Sequence, residues 1–100
     1  AADAHGTPEH LAHAAEALGT KDPARTRTMA LAALDALSTD QTANPNKRKP
    51  ADLARLHVLL ARAFLAAGQQ HTAREQAAIA DRHRPNDPEI RALLISIKLP

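Results

Sequence analysis

Residues 50–88 read PADLARLHVLLARAFLAAGQQHTAREQAAIADRHRPNDP, and this stretch decides the fold. In its first half, apolar residues recur three or four positions apart, which is the spacing of one face of an α-helix. Gly68 interrupts this pattern, and an alanine-rich helical pattern then runs to Pro85. The short break at Gly68 predicts two antiparallel helices that pack against each other.

The two helices of this stretch differ in the kind of face they offer. The first has an apolar arc of roughly 200°, so it should contact neighbours on two sides and be the central helix. The arc consists of Leu53, Leu56, His57, Leu60, Phe64 and Ala67, widened by Val58, Ala61 and Leu65. The second has a stripe of small residues at Ala73, Ala77 and Ala80, which favours a close approach of the two helix axes.

Outside this stretch, prolines mark the starts of further helices. A proline loses no hydrogen bond in the first turn of a helix, and Thr7, Asp22 and Asp87 each precede one as capping residues. Pro50, after Lys49, is a weaker start because lysine does not cap. With Gly19 and Gly68 as C-terminal caps, these signals predict five helices and no strand, at about 8–18, 23–37, 50–67, 70–84 and 88–98.

The composition predicts one domain with few large core side chains. Of the 100 residues, 24 are alanine and only 20 are larger apolar residues. The helices must therefore pack closely together, or the domain must be stabilised by contacts with a partner. We expect six alanines at these close approaches: Ala12, Ala24, Ala61, Ala73, Ala77 and Ala80. We expect the N-terminal half to be the most loosely packed part, since Ala15 and Thr28 occupy positions where large side chains are needed.

Several function classes are excluded by what the chain lacks. There is no cysteine for a disulfide or a thiolate zinc site, and no apolar run as long as a membrane span. One aromatic residue gives no platform for stacking nucleic-acid bases, so we expect no nucleic-acid partner and no membrane insertion. The formal charge is only +2, and its one dense cluster is 47–49. We interpret this cluster as solvated, with phosphate binding as the lesser alternative.

The two halves of the chain resemble each other. Leu11, Gly19 and Ala24 recur 49 positions later as Leu60, Gly68 and Ala73. Residues 54–87 also resemble the tetratricopeptide repeat, with His57-x2-Leu60-Ala61-x2-Phe64, then Ala73-x3-Ala77, then Pro85. His57 and Ala77 depart from that pattern, and the N-terminal half matches it less well, with Pro8, Ala15 and Thr28 in place of bulky residues. A plain helical bundle is the alternative.

The resemblance implies a short right-handed solenoid of antiparallel helix pairs. Residues 1–100 would form a single domain, divided into a degenerate hairpin (7–37), a mobile loop without an apolar anchor (38–50), a tetratricopeptide-like hairpin (51–87) and a capping helix (88–99). Such modules are scaffolds or adaptors without chemistry of their own, so we expect no enzyme and no cofactor. Their first helices line a concave face that holds a peptide or a helix of a partner protein.

On this chain that face carries two guanidiniums able to hold a carboxylate, which suits an acidic partner. The partner-binding residues are Arg55, Val58, Arg62, Leu65 and Ala66 from the third helix and Glu9, His13 and Glu16 from the first, with Ala92 and Ser96 from the fifth. A solvated face with ion pairs between neighbouring helices is the alternative for both arginines.

Two alternatives to a protein-binding module remain: a metal- or ligand-binding bundle and a self-assembling structural subunit. His10 and His13 lie three positions apart beside Glu9 and Glu16, and with His5 they are candidates for a metal- or ligand-binding bundle. Ile95 and Leu99 lie off the apolar face of helix 88–99, which would suit self-assembly of a structural subunit.

Two further expectations concern a buried histidine and the compartment. We expect His57 to be a neutral histidine that is packed in the core and has a backbone partner. Acid should then destabilise the domain, because protonation of the buried ring would require desolvation of a cation. The chain begins at Ala1 without methionine, which is consistent with processing, and both the cytoplasm and the periplasm stay open.

Overall fold

Five α-helices follow one another in the computed structural model, which describes residues 7–97. They are α1 (Pro8–Leu18), α2 (Pro23–Ala43), α3 (Pro50–Ala66), α4 (Gln70–His83) and α5 (Pro88–Ser96), with a 3₁₀ turn at Gly19–Lys21. No strand occurs between residues 7 and 97, so the predicted all-α class and number of helices are confirmed. None of these helices combines the length and the apolar character that crossing a bilayer requires.

The helix starts follow the predicted capping residues. The side chains of Thr7, Asp22 and Asp87 each accept a backbone N–H two or three residues ahead, at 2.9 to 3.2 Å. These bonds satisfy amides that the first turn of a helix leaves without a partner. Lys49 provides no such bond at the start of α3, as the sequence indicates.

The turn between α3 and α4 depends on a glycine in the left-handed region. Gly68 has a φ of 80°, a conformation that residues with a Cβ rarely adopt. The N–H of Gln69 then reaches back to the carbonyl of Phe64 at 2.8 Å, and the N–H of Gly68 to that of Leu65 at 3.0 Å. This pair of bonds closes α3 and reverses the chain, so that α4 packs along α3.

The predicted end of α2 is wrong. The helix does not stop at residue 37 but continues for six polar or small residues to Ala43. The apolar periodicity ends at Leu37, yet a polar anchor holds this extension: Asp40 accepts hydrogen bonds from Lys47 and Arg48 in the link that follows. The predicted 38–50 loop is thereby reduced to residues 44–49, and it is tied to the helix by side chains.

Helix α3 lies at the centre of the core, as its wide apolar arc predicts. Ten of its 17 residues are buried, and it packs against α1, α2 and α4. Phe64 and Leu60 are the two largest fully buried side chains. A second, smaller cluster joins α3 and α4 to α5 through Ala54, Val58, Ala80 and Ile90. The remaining helices are therefore arranged around α3.

Alanines make up much of the interior, but not always at the predicted positions. Ala12, Ala61, Ala73, Ala77 and Ala80 are fully buried, whereas Ala24 is exposed and its assignment is wrong. Thr28 is also exposed, so it leaves no gap in the core. The N-terminal half buries Ala15 and Thr26 completely, and the hydroxyl of Thr26 donates to the carbonyl of Gly19 at 2.8 Å.

Helix α5 presents the predicted apolar face to the rest of the fold. Ile90 and Ile97 are buried, and Leu93 and Leu94 are half-buried beside them. The guanidinium of Arg74 donates to the carbonyls of Leu94 and Ile97, which holds the last turn of α5 against α4. The helix ends at Ser96, earlier than the predicted 98, and Leu99 lies outside the described residues.

Candidate functional site

A recess with a volume of about 270 Å³ opens between α3 and the start of α5. Its floor is apolar and its rim is charged. We call it the α3/α5 recess, and its lining consists of Arg55, Val58, Leu59, Arg62, Arg84, Asp87, Glu89 and Ile90. Three of the predicted partner-binding residues, Arg55, Val58 and Arg62, are therefore brought together here.

Arg62 links three helices across the rim of the recess. Its guanidinium lies 2.5 Å from a carboxylate oxygen of Glu89 on α5 and 3.7 Å from one of Glu16 on α1. All three side chains are partly exposed, so each pair contributes little to stability. These contacts bring charged side chains of α1, α3 and α5 together at the rim, while the backbone of α5 packs against α4.

Arg55 differs from the other two arginines of the recess. Arg62 and Arg84 are both paired with carboxylates, the latter with Asp87 at 3.1 Å. Arg55 is exposed and forms no ion pair with any residue between 7 and 97. Its guanidinium is therefore not held by a carboxylate of the described residues, and it stands beside buried Val58 and Leu59.

The other predicted binding residues lie away from the recess. Glu9 is at the start of α1, where it pairs with Arg48. His13 is exposed on α1, and Leu65 is half-buried against the main core. Ala66 is half-buried near the end of α3, while Ala92 and Ser96 are exposed on α5.

The predicted site residues did not include those of the α4–α5 link and the start of α5. Arg84, Asp87 and Glu89 supply most of the charged rim. Arg84 and Asp87 form an ion pair within the link, outside any helix, where no helical spacing rule predicts it. No periodic pattern predicts that Glu89 meets Arg62, because the two residues lie 27 positions apart in different helices.

A larger cavity of about 780 Å³ lies at the start of α1 and the end of α2. The side chain of Arg48 is only 6% exposed there, so the interpretation of residues 47–49 as a solvated cluster is wrong for this residue. Its guanidinium holds Glu9 through two bonds, at 2.7 and 3.0 Å, and Asp40 through one at 2.5 Å. The anchor of the 44–49 link is therefore ionic, not apolar.

These contacts also explain the electrostatics of the larger cavity. The hydrogen bond from Arg48 holds the pKa of the Glu9 carboxyl below its ordinary value, and Arg48 followed by Lys47 does the same for the pKa of Asp40. Both cations of this cavity are thus occupied by carboxylates of the chain itself. The cavity offers an incoming anion no free positive group, which argues against the phosphate alternative.

The candidate metal ligands are not assembled into a site in the part of the chain described. Both His10 and His13 lie exposed on α1, and the third candidate, His5, lies outside the described residues. Among residues 7–97 no group of three or more histidine, aspartate or glutamate side chains is placed to hold a metal ion.

His57 is buried in α3 as expected, but its partner is not the backbone. Its Nδ1 lies 2.7 Å from the side-chain oxygen of Gln76 on α4, so this nitrogen donates to the amide carbonyl. On its other side the ring stacks with His83, the last residue of α4, at a centroid distance of 6.0 Å and 15° between the planes. Burial lowers the pKa of His57, the hydrogen bond that His57 donates to Gln76 raises it less, and His83 lowers it further.

The lowered pKa of His57 predicts that acid destabilises the fold as the pH falls below the ordinary histidine value of 6.5. Below the ordinary histidine pKa of 6.5, His57 binds a proton in the unfolded chain, whereas it stays neutral in the folded chain. The free energy of unfolding should fall by up to about 1.4 kcal/mol per pH unit until the folded pKa is reached. Urea unfolding at several pH values measures the slope.

The variant His57→Gln should lose this slope, while His71→Gln, changed at an exposed position, should keep it. Glu9 and Asp40 do not obscure the window, because their ordinary pKa values of 4.5 and 3.8 place their contribution at lower pH. Equal slopes in the wild type and His57→Gln would contradict the assignment.

The α3/α5 recess thus places one uncompensated guanidinium beside an apolar floor, an arrangement that can hold a carboxylate with an apolar neighbour. It contains no nucleophile with an adjacent base among its eight lining residues. Comparison with known proteins found no relative: no family model, no curated protein and no solved structure matches the chain.

Proposed function

We propose that this chain is a tetratricopeptide-like interaction module that binds a peptide or a helix of a partner protein on the face shared by α1, α3 and α5. The observation that carries this proposal is the α3/α5 recess, in which exposed Arg55 stands over the apolar Val58 and Leu59. A carboxylate on the partner would meet Arg55, and an apolar side chain next to it would cover the floor.

The arrangement of the helices supports the same proposal. In a right-handed solenoid of helix pairs, the first helix of each pair lies next to the first helix of the following pair. Arg62 contacts Glu16 and Glu89, which belong to α1 and α5, the first helices before and after its own. Pairing of α1 with α2 and of α3 with α4 is the most extensive packing in the fold. Helix α5 then caps the array.

The recess is small, and this limits the affinity that the module can reach. Binding must overcome the loss of translational and rotational freedom, and a short groove has few contacts with which to do so. We therefore expect affinities in the micromolar range, about −8 kcal/mol. Extension of the groove by further helices or by a second copy would raise them.

Selection from a displayed library of random 12-residue peptides tests the proposal directly. The wild type should enrich peptides that carry aspartate or glutamate beside an apolar residue, and fluorescence polarisation then gives their affinities. Arg55→Glu should weaken the selected peptides by about tenfold or more, since it replaces an attraction by a repulsion. Arg27→Glu is the matched control, because Arg27 is also exposed but lies on α2, outside the recess.

Two outcomes would count against this function. One is the absence of any peptide enriched over an unrelated helical protein of similar charge. The other is equal affinity of the selected peptides for the wild type and Arg55→Glu, with circular dichroism showing unchanged helicity in the variant.

A further inference from the structure

We propose that the stacked His57–His83 pair is a pH-sensitive latch that holds the last turn of α4 against α3 and releases it when both rings are protonated. The rings come from different helices and lie nearly parallel, 6.0 Å apart. His57 is buried in the middle of α3, whereas His83 is the half-buried last residue of α4. A charge on both rings therefore pushes a helix end away from a fixed helix.

The surroundings of the pair leave this repulsion without compensation. Gln76 is neutral and occupies Nδ1 of His57, so the second proton must enter at Nε2, which has no hydrogen-bond partner among residues 7–97. One turn to either side of His57 on α3 the residues on its face are apolar: Leu53, Ala54, Leu60 and Ala61. One turn before His83 on α4 stand Ile79 and Ala80.

The charged groups near the latch do not neutralise it either. Arg82 and Arg84 flank His83 along the chain, and both are cations, while Asp81, two residues before His83, has a buried carboxylate oxygen without a hydrogen-bond partner among residues 7–97. At the start of α5 the nearest carboxylates are already taken, Asp87 by Arg84 and Glu89 by Arg62. Neither ring forms an ion pair with a carboxylate within the described residues.

The position of the latch gives it a consequence beyond local stability. His83 is followed at once by the α4–α5 link, whose Arg84 and Asp87 form one wall of the α3/α5 recess. The neighbour of His57 on α3, Val58, lies in the floor of the same recess. Release of the latch would therefore move the wall relative to the floor. The effect on partner binding rests on the proposed function, but the latch itself does not.

Amide hydrogen exchange measured by NMR at pH 7.5 and pH 5.5 tests the latch without any ligand. The reporter is the N–H of Arg84, which bonds to the carbonyl of Ala80 at 3.0 Å in the last turn of α4. After correction for the intrinsic rates, its protection should fall at least tenfold at pH 5.5. The protection of the Ala73 N–H, bonded to Gln69 at the other end of α4, should fall less than that of Arg84, since it reports only the acid destabilisation of the whole fold.

Variants assign any such fall to the histidine pair. In His83→Gln the protection of Arg84 should fall no further than that of Ala73, because the second charge is gone and only the destabilisation by buried His57, which affects the whole fold, remains. His71→Gln, an exposed position on the same helix, should keep the fall seen in the wild type. Equal protection of the wild type at both pH values, or an undiminished fall in His83→Gln, would overturn the latch.

A second measurement decides the question if His83→Gln loses helicity at pH 7.5. The ring Cε1 protons of the wild type should each report two titration steps, since each ring senses the protonation of the other. Two independent single-step curves would show that the rings do not interact, and would remove the latch whatever the variant does.

Discussion

Phe64→Ala should lower the free energy of unfolding by about 3–5 kcal/mol, the range for removal of a buried aromatic side chain. Phe64 is 1% exposed and is the largest side chain of the core. It lies in the main cluster with alanines from α1, α2 and α4, which are too short to fill the space it would leave. With total stabilities of about 5–15 kcal/mol for ordinary domains, such a loss would leave a large unfolded fraction at 37 °C.

Leu31→Ala is the control for this experiment. Leu31 is also a large apolar residue inside a helix, but it is 44% exposed, so truncation there should change the unfolding free energy by less than about 1 kcal/mol. Urea unfolding followed by circular dichroism gives both values. Similar losses for the two variants would mean that the core around Phe64 rearranges to close the cavity, and that α3 is not its fixed centre.

The parts of the fold that were predictable are those specified within one helix. Apolar spacing identified α3 and its central position, because a helix shows its buried face in its own sequence. Thr7, Asp22 and Asp87 identified helix starts, because the capping bond spans only two or three residues. Local rules of this kind need no knowledge of the neighbouring helices.

Two of the errors arose where polar side chains from distant residues meet. The end of α2 was placed too early because Arg48 anchors Asp40 and Glu9, and the latter lies 39 positions away. His57 was given a backbone partner, although the amide of Gln76 on the next helix fills that place. Charged and polar residues carry no periodicity that reveals their partners, so such contacts are set by the packing and not by a local pattern.

In the candidate site, too, the residues that share one helix could be grouped from the sequence, and those of other segments could not. Arg55, Val58 and Arg62 could be grouped because they lie on one face of a single helix. The opposite rim, from Arg84 to Glu89, depends on how the α4–α5 link turns back over α3, which includes a left-handed Asn86 with a φ of 65°. Glu9 and His13 were assigned to the binding face on family pattern alone, and they lie outside the recess.

The alanines at the α3–α4 contact lead to the second large expected effect. Ala77 is fully buried where α4 packs along α3, and the short turn at Gly68 keeps the two helices close. Ala77→Leu adds three heavy atoms at a contact with no exposed surface, so it must push the helices apart or force strained rotamers. We expect a loss of about 1–3 kcal/mol or more in the free energy of unfolding.

Ala32→Leu separates this packing effect from any change in helix propensity. Ala32 is exposed in α2, and leucine is nearly as good a helix former as alanine, so this variant should be as stable as the wild type within about 0.5 kcal/mol. If Ala77→Leu proved equally harmless, the space between α3 and α4 would accommodate a large side chain. The abundance of alanine would then not reflect a need for closely spaced helices, and the thin core would have to be stabilised by contacts with a partner instead.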